Sequence, residues 1–129
     1  MFDRLPQIAI GVLVLAGITV GVIATGGPER GRAERRDKDR QSDIRALAYH
    51  VECLTRKTGQ LPDDLSPTDT CPANGVDFKD ETDKLYTYQK VTESEYLLCA
   101  AYEYPSALWG NLEREGLDRT TGCQRFDEN

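Results

Sequence analysis

The sequence is short of the residues that carry chemistry. Its 129 residues include one histidine, one tryptophan and one methionine. No motif places a nucleophile or an orienting acid beside His50, so no catalytic site is composed and a non-enzymatic protein is expected. None of the four cysteines forms a C-x-x-C pair, which argues against zinc-ribbon and thioredoxin-like motifs, both of which need one. A basic surplus is missing too. Residues 41–129 hold nine basic against seventeen acidic side chains, and phosphate backbones and anionic lipid both require a basic footprint. Neither nucleic acid nor docking of the body onto anionic lipid is therefore expected.

Charge is also absent from Leu5 to Thr25, where LPQIAIGVLVLAGITVGVIAT runs for 21 residues without an ionisable side chain. At about 1.5 Å per helical residue this matches a hydrocarbon slab of about 30 Å. Pro6 falls in the first turn, where a helix tolerates proline, and Gly26-Gly27-Pro28 stops it. A cleaved signal peptide is the competing reading. Such peptides have shorter apolar cores and a small-x-small cleavage site, and Ile23 before Ala24 fits that poorly. The expectation is an uncleaved single-pass anchor in contact with membrane lipid through residues 5–25, with residues 1–4 as a cytoplasmic tip. Within it Gly17, Gly21 and Thr25 recur at four-residue steps, a face through which two helices can approach and self-associate.

Residues 26–40 read as a basic stalk, because Glu29 to Arg40 carries six basic against four acidic residues. By the positive-inside rule that charge would hold the body in the cytoplasm. Cys53, Cys71, Cys99 and Cys123 oppose it, an even set in a body of about 90 residues that gains from covalent help. We weigh the cysteines more heavily and expect a disulfide-bonded body outside the cytoplasm.

Within the body, residues 41–129, Ile44, Leu47, Ala48, Val51 and Leu54 recur at helical spacing and predict one apolar stripe on a helix over about 30–58, ended by Gly59. Leu61-Pro62-Asp63-Asp64-Leu65-Ser66-Pro67 predicts an ordered loop. Residues 85–91 and 95–102, separated by Thr92-Glu93-Ser94, predict an antiparallel hairpin, and 122–126 a third short strand. The fold class is α+β, an amphipathic helix packed on a small antiparallel sheet. In that topology a Cys53–Cys71 bridge would staple the loop to the helix and Cys99–Cys123 the tail to the sheet. Four cysteines allow two other connectivities. Tyr86, Tyr88, Tyr96, Tyr102 and Tyr104 read as core aromatics, and Trp109 as a core or partner-facing residue.

With the helix, the turn Gly59-Gln60-Leu61-Pro62-Asp63-Asp64-Leu65 and the segment Asp80 through Tyr88 in place, the chain resembles the pilin and pseudopilin-like proteins of bacterial type II secretion and type IV pilus systems. The first motif is similar to the family's G-x-Y-P-x-x-L, the second to its D-P-x-G-x-x-Y-x-Y, with Glu81 and Asp83 in place of the Pro and Gly. The prepilin processing motif does not precede the span. The resemblance covers about residues 5–102. It implies a pseudopilin-like domain in the periplasm, anchored in the bacterial inner membrane, acting as an assembly or accessory subunit with protein partners there. The alternative is an anchored module that binds a protein or a metal ion. Pseudopilins often bind calcium near their sheet, so Asp77, Asp80, Glu81 and Asp83 are candidate ligands for calcium. No other cofactor is expected. Their spacing is not that of an EF-hand, and a solvated acidic loop is the competing reading.

Overall fold

The structure, a computed structural model, describes residues 4–105, 115–118 and 120–128. Trp109 lies outside the described residues. The chain divides into two compact units, Met1–Arg32 and Ala33–Asn129.

In the first unit, α1 spans Leu5–Ala24 with proline in its opening turn and no buried residue. It is long and apolar enough to cross a membrane. Its hydroxyls are satisfied along the helix: Thr19 Oγ1 donates to the Leu15 carbonyl at 2.8 Å and Thr25 Oγ1 to that of Gly21 at 3.0 Å. The helix ends because Gly26 and Gly27 take φ of 81° and 69°. Two successive left-handed residues are accessible to glycine and costly for other L-residues. The second helix, α2, spans Gly27–Thr58.

The unit boundary falls inside the segment that reads as a stalk. Ala33, Asp37, Arg40 and Gln41 are buried, on the same face as Ile44, Leu47, Val51 and Leu54. Residues 33–40 therefore belong to the folded unit. The physical reason is that buried polar partners, not apolar side chains, complete the helix face there.

Gly59 closes α2 at φ 76°, its N–H bonding the Thr55 carbonyl at 2.8 Å. The chain then returns along the helix. Leu61 is buried and Leu65 packs against the core. The Pro62 carbonyl accepts the Tyr88 hydroxyl at 2.8 Å. Cys53 and Cys71 are bridged across 18 residues, a closure that adds about 3 kcal/mol on the chain-entropy model.

Three strands follow, β1 Thr87–Lys90, β2 Glu95–Cys99 and β3 Cys123–Asp127, antiparallel and in the order β1-β2-β3. Tyr88 opposes Leu98, which opposes Gln124, and Tyr96 opposes Phe126. Alternation puts these on one face, where Tyr96, Leu98 and Ala100 join Ile44, Leu47, Val51 and Leu61 in the core. The Tyr96 and Phe126 rings stack with centroids 5.3 Å apart. Cys99 and Cys123 are directly opposite each other on the other face and form the second disulfide, with Cα atoms 3.9 Å apart. Just past this pair the Ala100 N–H donates to the Gly122 carbonyl at 3.1 Å, so the cysteines occupy a non-hydrogen-bonded position, where paired strands approach most closely.

Gly122 makes that approach possible. It holds φ 70°, and a Cβ there would lie 2.3 Å from the Ala100 carbonyl oxygen. Gly75 has a similar φ of 75°, with open space where a Cβ would sit. The two glycines separate backbone strain from collision. Gly75→Ala should cost about 1 kcal/mol from the left-handed conformation alone, and Gly122→Ala more than about 2 kcal/mol because the β2–β3 pairing must also shift. Denaturant titration of the oxidised proteins, followed by near-ultraviolet circular dichroism, compares them. Equal losses would mean that the contact with Ala100 does not constrain the sheet.

Candidate functional site

The N-terminal turns of α2 in the folded unit present charge to the interior. Asp37 and Arg40, one helical turn apart, are 0% and 1% exposed. Arg40 Nη1 donates to Asp37 Oδ1 at 2.7 Å, and Arg40 Nε to Asp80 Oδ2 at 2.7 Å. Glu103 Oε1, just beyond β2, lies 2.9 Å from Arg40 Nη1 and accepts Arg36 Nε at 2.9 Å. Three carboxylates from three segments thus surround one guanidinium. Among the described residues, Arg40 Nη2 is the buried side-chain nitrogen or oxygen without a hydrogen-bond partner.

Two of these carboxylates, Asp37 and Asp80, also organise backbone. The Asp37 carboxylate accepts the N–H groups of Glu103 at 2.9 Å and Tyr104 at 2.6 Å, which fixes the chain as it leaves β2. Asp80 Oδ1 accepts the N–H groups of Thr82 and Lys84 at 2.8 and 3.1 Å and the Thr82 hydroxyl at 2.6 Å. The turn thus built carries Asp83 at φ 63°, a conformation that Asp adopts more readily than most residues. Burial works against the ionised form of Asp80, but its bonds from Thr82 and Arg40 prevail and hold the carboxyl well below its ordinary range. Hydrogen bonds from Arg36 and Arg40 bring Glu103 down to about 2 against burial. Burial likewise opposes charge on Arg40, yet the surrounding carboxylates keep its pKa above the ordinary value.

Beside this cluster opens a cleft of about 400 Å³, lined by five carboxylates and three cations together with Tyr86. The Tyr86 hydroxyl donates to Asp43 Oδ2 at 2.6 Å. Burial raises the Asp43 carboxyl above its usual range, and the negative charges of Asp77, Asp39 and Asp80 add to the rise. The cleft can favour positively charged groups on electrostatic grounds.

Of the candidate calcium ligands, Asp77, Asp80 and Glu81 line the cleft. Asp80 is committed to Arg40 and its turn, Glu81 Oε1 sits 3.9 Å from Arg36, and exposed Asp83 pairs with Lys79 at 2.6 Å. Among the described residues no group of three or more His, Cys, Asp or Glu side chains is arranged to hold a metal ion. His50 is buried, its Nε2 3.1 Å from the Leu65 carbonyl. In α1 nothing lies within 4 Å of a Cβ built on Gly17 or Gly21, so that face is open, and the Thr25 hydroxyl folds back onto Gly21. All four cysteines are in the two disulfides.

Sequence reasoning missed the pairing of Asp37, Arg40 and Glu103. A signal was present. Asp37 and Arg40 continue, at the same three- and four-residue steps, the stripe that Ile44 begins. Gln41 does so too, donating to Gln124 Oε1 at 3.1 Å and accepting the Tyr102 hydroxyl at 2.7 Å. Glu103 carried no comparable mark.

Replacing Arg40 by Met leaves Asp37 and Asp80 buried without their cation, and breaking such a pair costs about 3–5 kcal/mol. Asp80 and Glu103 have folded-state pKa values below the unfolded ones, so their stabilisation is present above the ordinary carboxylate range and is lost as pH falls through the lowered folded-state values, about 2 for Glu103. Denaturant titrations at several pH values should therefore show Arg40→Met much weaker than the parent at pH 7 and the gap closing in acid. A gap independent of pH would assign the loss to packing. Comparison of this chain with protein-family models, with curated proteins and with solved structures finds no match.

Proposed function

We propose that this chain is a non-enzymatic, single-pass protein of a bacterial inner membrane, its α+β body carried in the periplasm as a pseudopilin-like domain that serves an assembly or accessory role. The observation that carries the reading is the contrast between its two parts. None of the residues of α1 is buried by the protein itself, whereas the unit that follows is a small core closed by two disulfides. An apolar helix with nothing to cover it requires lipid, and disulfides persist in oxidising compartments.

Two further observations support it. Arg36 and Arg40, two of the six basic residues after the span, have structural partners in Glu103, Asp37 and Asp80. Folding accounts for their presence there, which weakens the case for a cytoplasmic body. The Asp80 to Tyr88 segment, which resembles the family's D-P-x-G-x-x-Y-x-Y, forms a turn with a left-handed residue at Asp83, where the family has Gly. The acidic cleft favours a second reading, an anchored module that takes a basic protein segment or a cation.

Intact cells treated with a membrane-impermeant maleimide, before and after reduction, test the location. Labelling should appear only after reduction, in peptides containing Cys53 with Cys71 and Cys99 with Cys123. Thiols that are free and reached only after lysis would place the body in the cytoplasm and defeat the proposal. Mild detergent extraction then separates the roles: secretion or pilus components should co-purify, and a lone unrelated partner would support the binding module.

A further inference from the structure

The acidity of the body is an average that conceals a segregation. Arg35, Lys38, Ser42, Arg45, Tyr49 and Arg56 follow one another along α2 at three-, four- and seven-residue intervals, which places them on one helix face. All six are exposed, opposite the face that carries Ile44, Leu47 and Val51 into the core. Tyr49, at the middle of the row, is 73% exposed. Arg35 and Lys38 make no ion pair among the described residues. Arg45 meets Glu115 at 3.6 Å with both side chains about half exposed, and exposed Arg56 meets Glu52. Such contacts contribute little and exchange readily for another anion. Asp39 flanks the row on one side and Glu34 and Glu52 on the other, and Asp127 and Glu128 line a hollow with Arg45 and Tyr49, but every charged residue within the row is a cation.

We infer that this face of α2 docks on a phospholipid bilayer with anionic headgroups. The inference rests on the reading of α1 as a membrane anchor. Rows of cations with an exposed aromatic between them suit a headgroup layer, where phosphates meet Arg and Lys and a tyrosine ring sits at the boundary between water and hydrocarbon. Attachment to the bilayer through α1 keeps that surface at high effective concentration, so contacts too weak to recruit a free protein suffice for an anchored one. The Arg and Lys residues after the span thereby acquire a role on the body's own side of the membrane: Arg40 and Arg36 hold the fold, while Arg35 and Lys38 meet lipid.

The test uses the full chain reconstituted into vesicles of phosphatidylcholine alone or mixed with phosphatidylglycerol. Tyr49→Trp reports the environment of the face, read as the difference from the parent, whose single tryptophan is Trp109. In vesicles containing phosphatidylglycerol the emission of the introduced indole should shift to the blue and be quenched by brominated lipid. Both effects should be lost in about 1 M NaCl, where the Debye length is about 3 Å, and in Arg35→Glu/Lys38→Glu. Emission indifferent to lipid charge overturns the inference. So does a shift that follows the protein-to-lipid ratio, which would assign the face to a second copy of the chain. Alkaline carbonate extraction keeps the two readings apart: release from the vesicles refutes the anchor itself, whereas retention with an unresponsive indole refutes the docking alone.

Discussion

A full positive charge at Arg40, 1% exposed, sets the constraint to which the rest of the folded unit conforms. Burial of an unpaired ion costs several kcal/mol even after relaxation, so the charge must be met by anions inside the protein. Asp37 comes from the same helix, Asp80 from the turn before β1 and Glu103 from the segment beyond β2. Each is itself fixed by backbone N–H groups or a second arginine. The net stability of such a cluster over an apolar core is small. Its consequence is geometric, because three segments distant in sequence must meet around Arg40 of α2 for the arginine to be tolerated.

In the turns that follow, the same helix uses different means. Ile44, Leu47 and Val51 pack on Tyr96 and Leu98, and the two disulfides close loops that a core of this size would hold weakly. Polar specification lies in α2 from Asp37 to Gln41, and apolar packing with covalent closure lies further along the chain. The outward face of α2 is left to the solvent, and its cations are the residues from which contact with lipid is inferred.

Much of this architecture was legible in the sequence because it rests on periodicity and punctuation. The uncharged run to Thr25, the stripe from Ile44 to Leu54, the stop at Gly59 and the hairpin around Thr92–Ser94 each follow from local chemistry, and α1, α2, β1 and β2 lie close to where those signals place them. The two bridges are the pair that the topology suggested among three connectivities. The stalk was misleading for a physical reason. A run of Arg, Lys, Asp and Glu reads as solvated, and only long-range partners reveal that Asp37 and Arg40 point inward. The acidic loop was legible as a cluster, but the diversion of Asp80 to a cation 40 residues away was not.

The measurement closest to the central claim is native-state amide hydrogen exchange at Glu103 and Tyr104. Neither residue lies in a helix or strand, and their N–H groups donate to the buried Asp37 carboxylate. If the arginine cluster organises the unit, both amides should exchange slowly, in step with the core amides of β2. Exchange as fast as that of exposed Glu93 in the β1–β2 turn would contradict the account, since the chain beyond β2 would then not be held by Asp37 and Arg40 would lack the enclosure on which its burial depends.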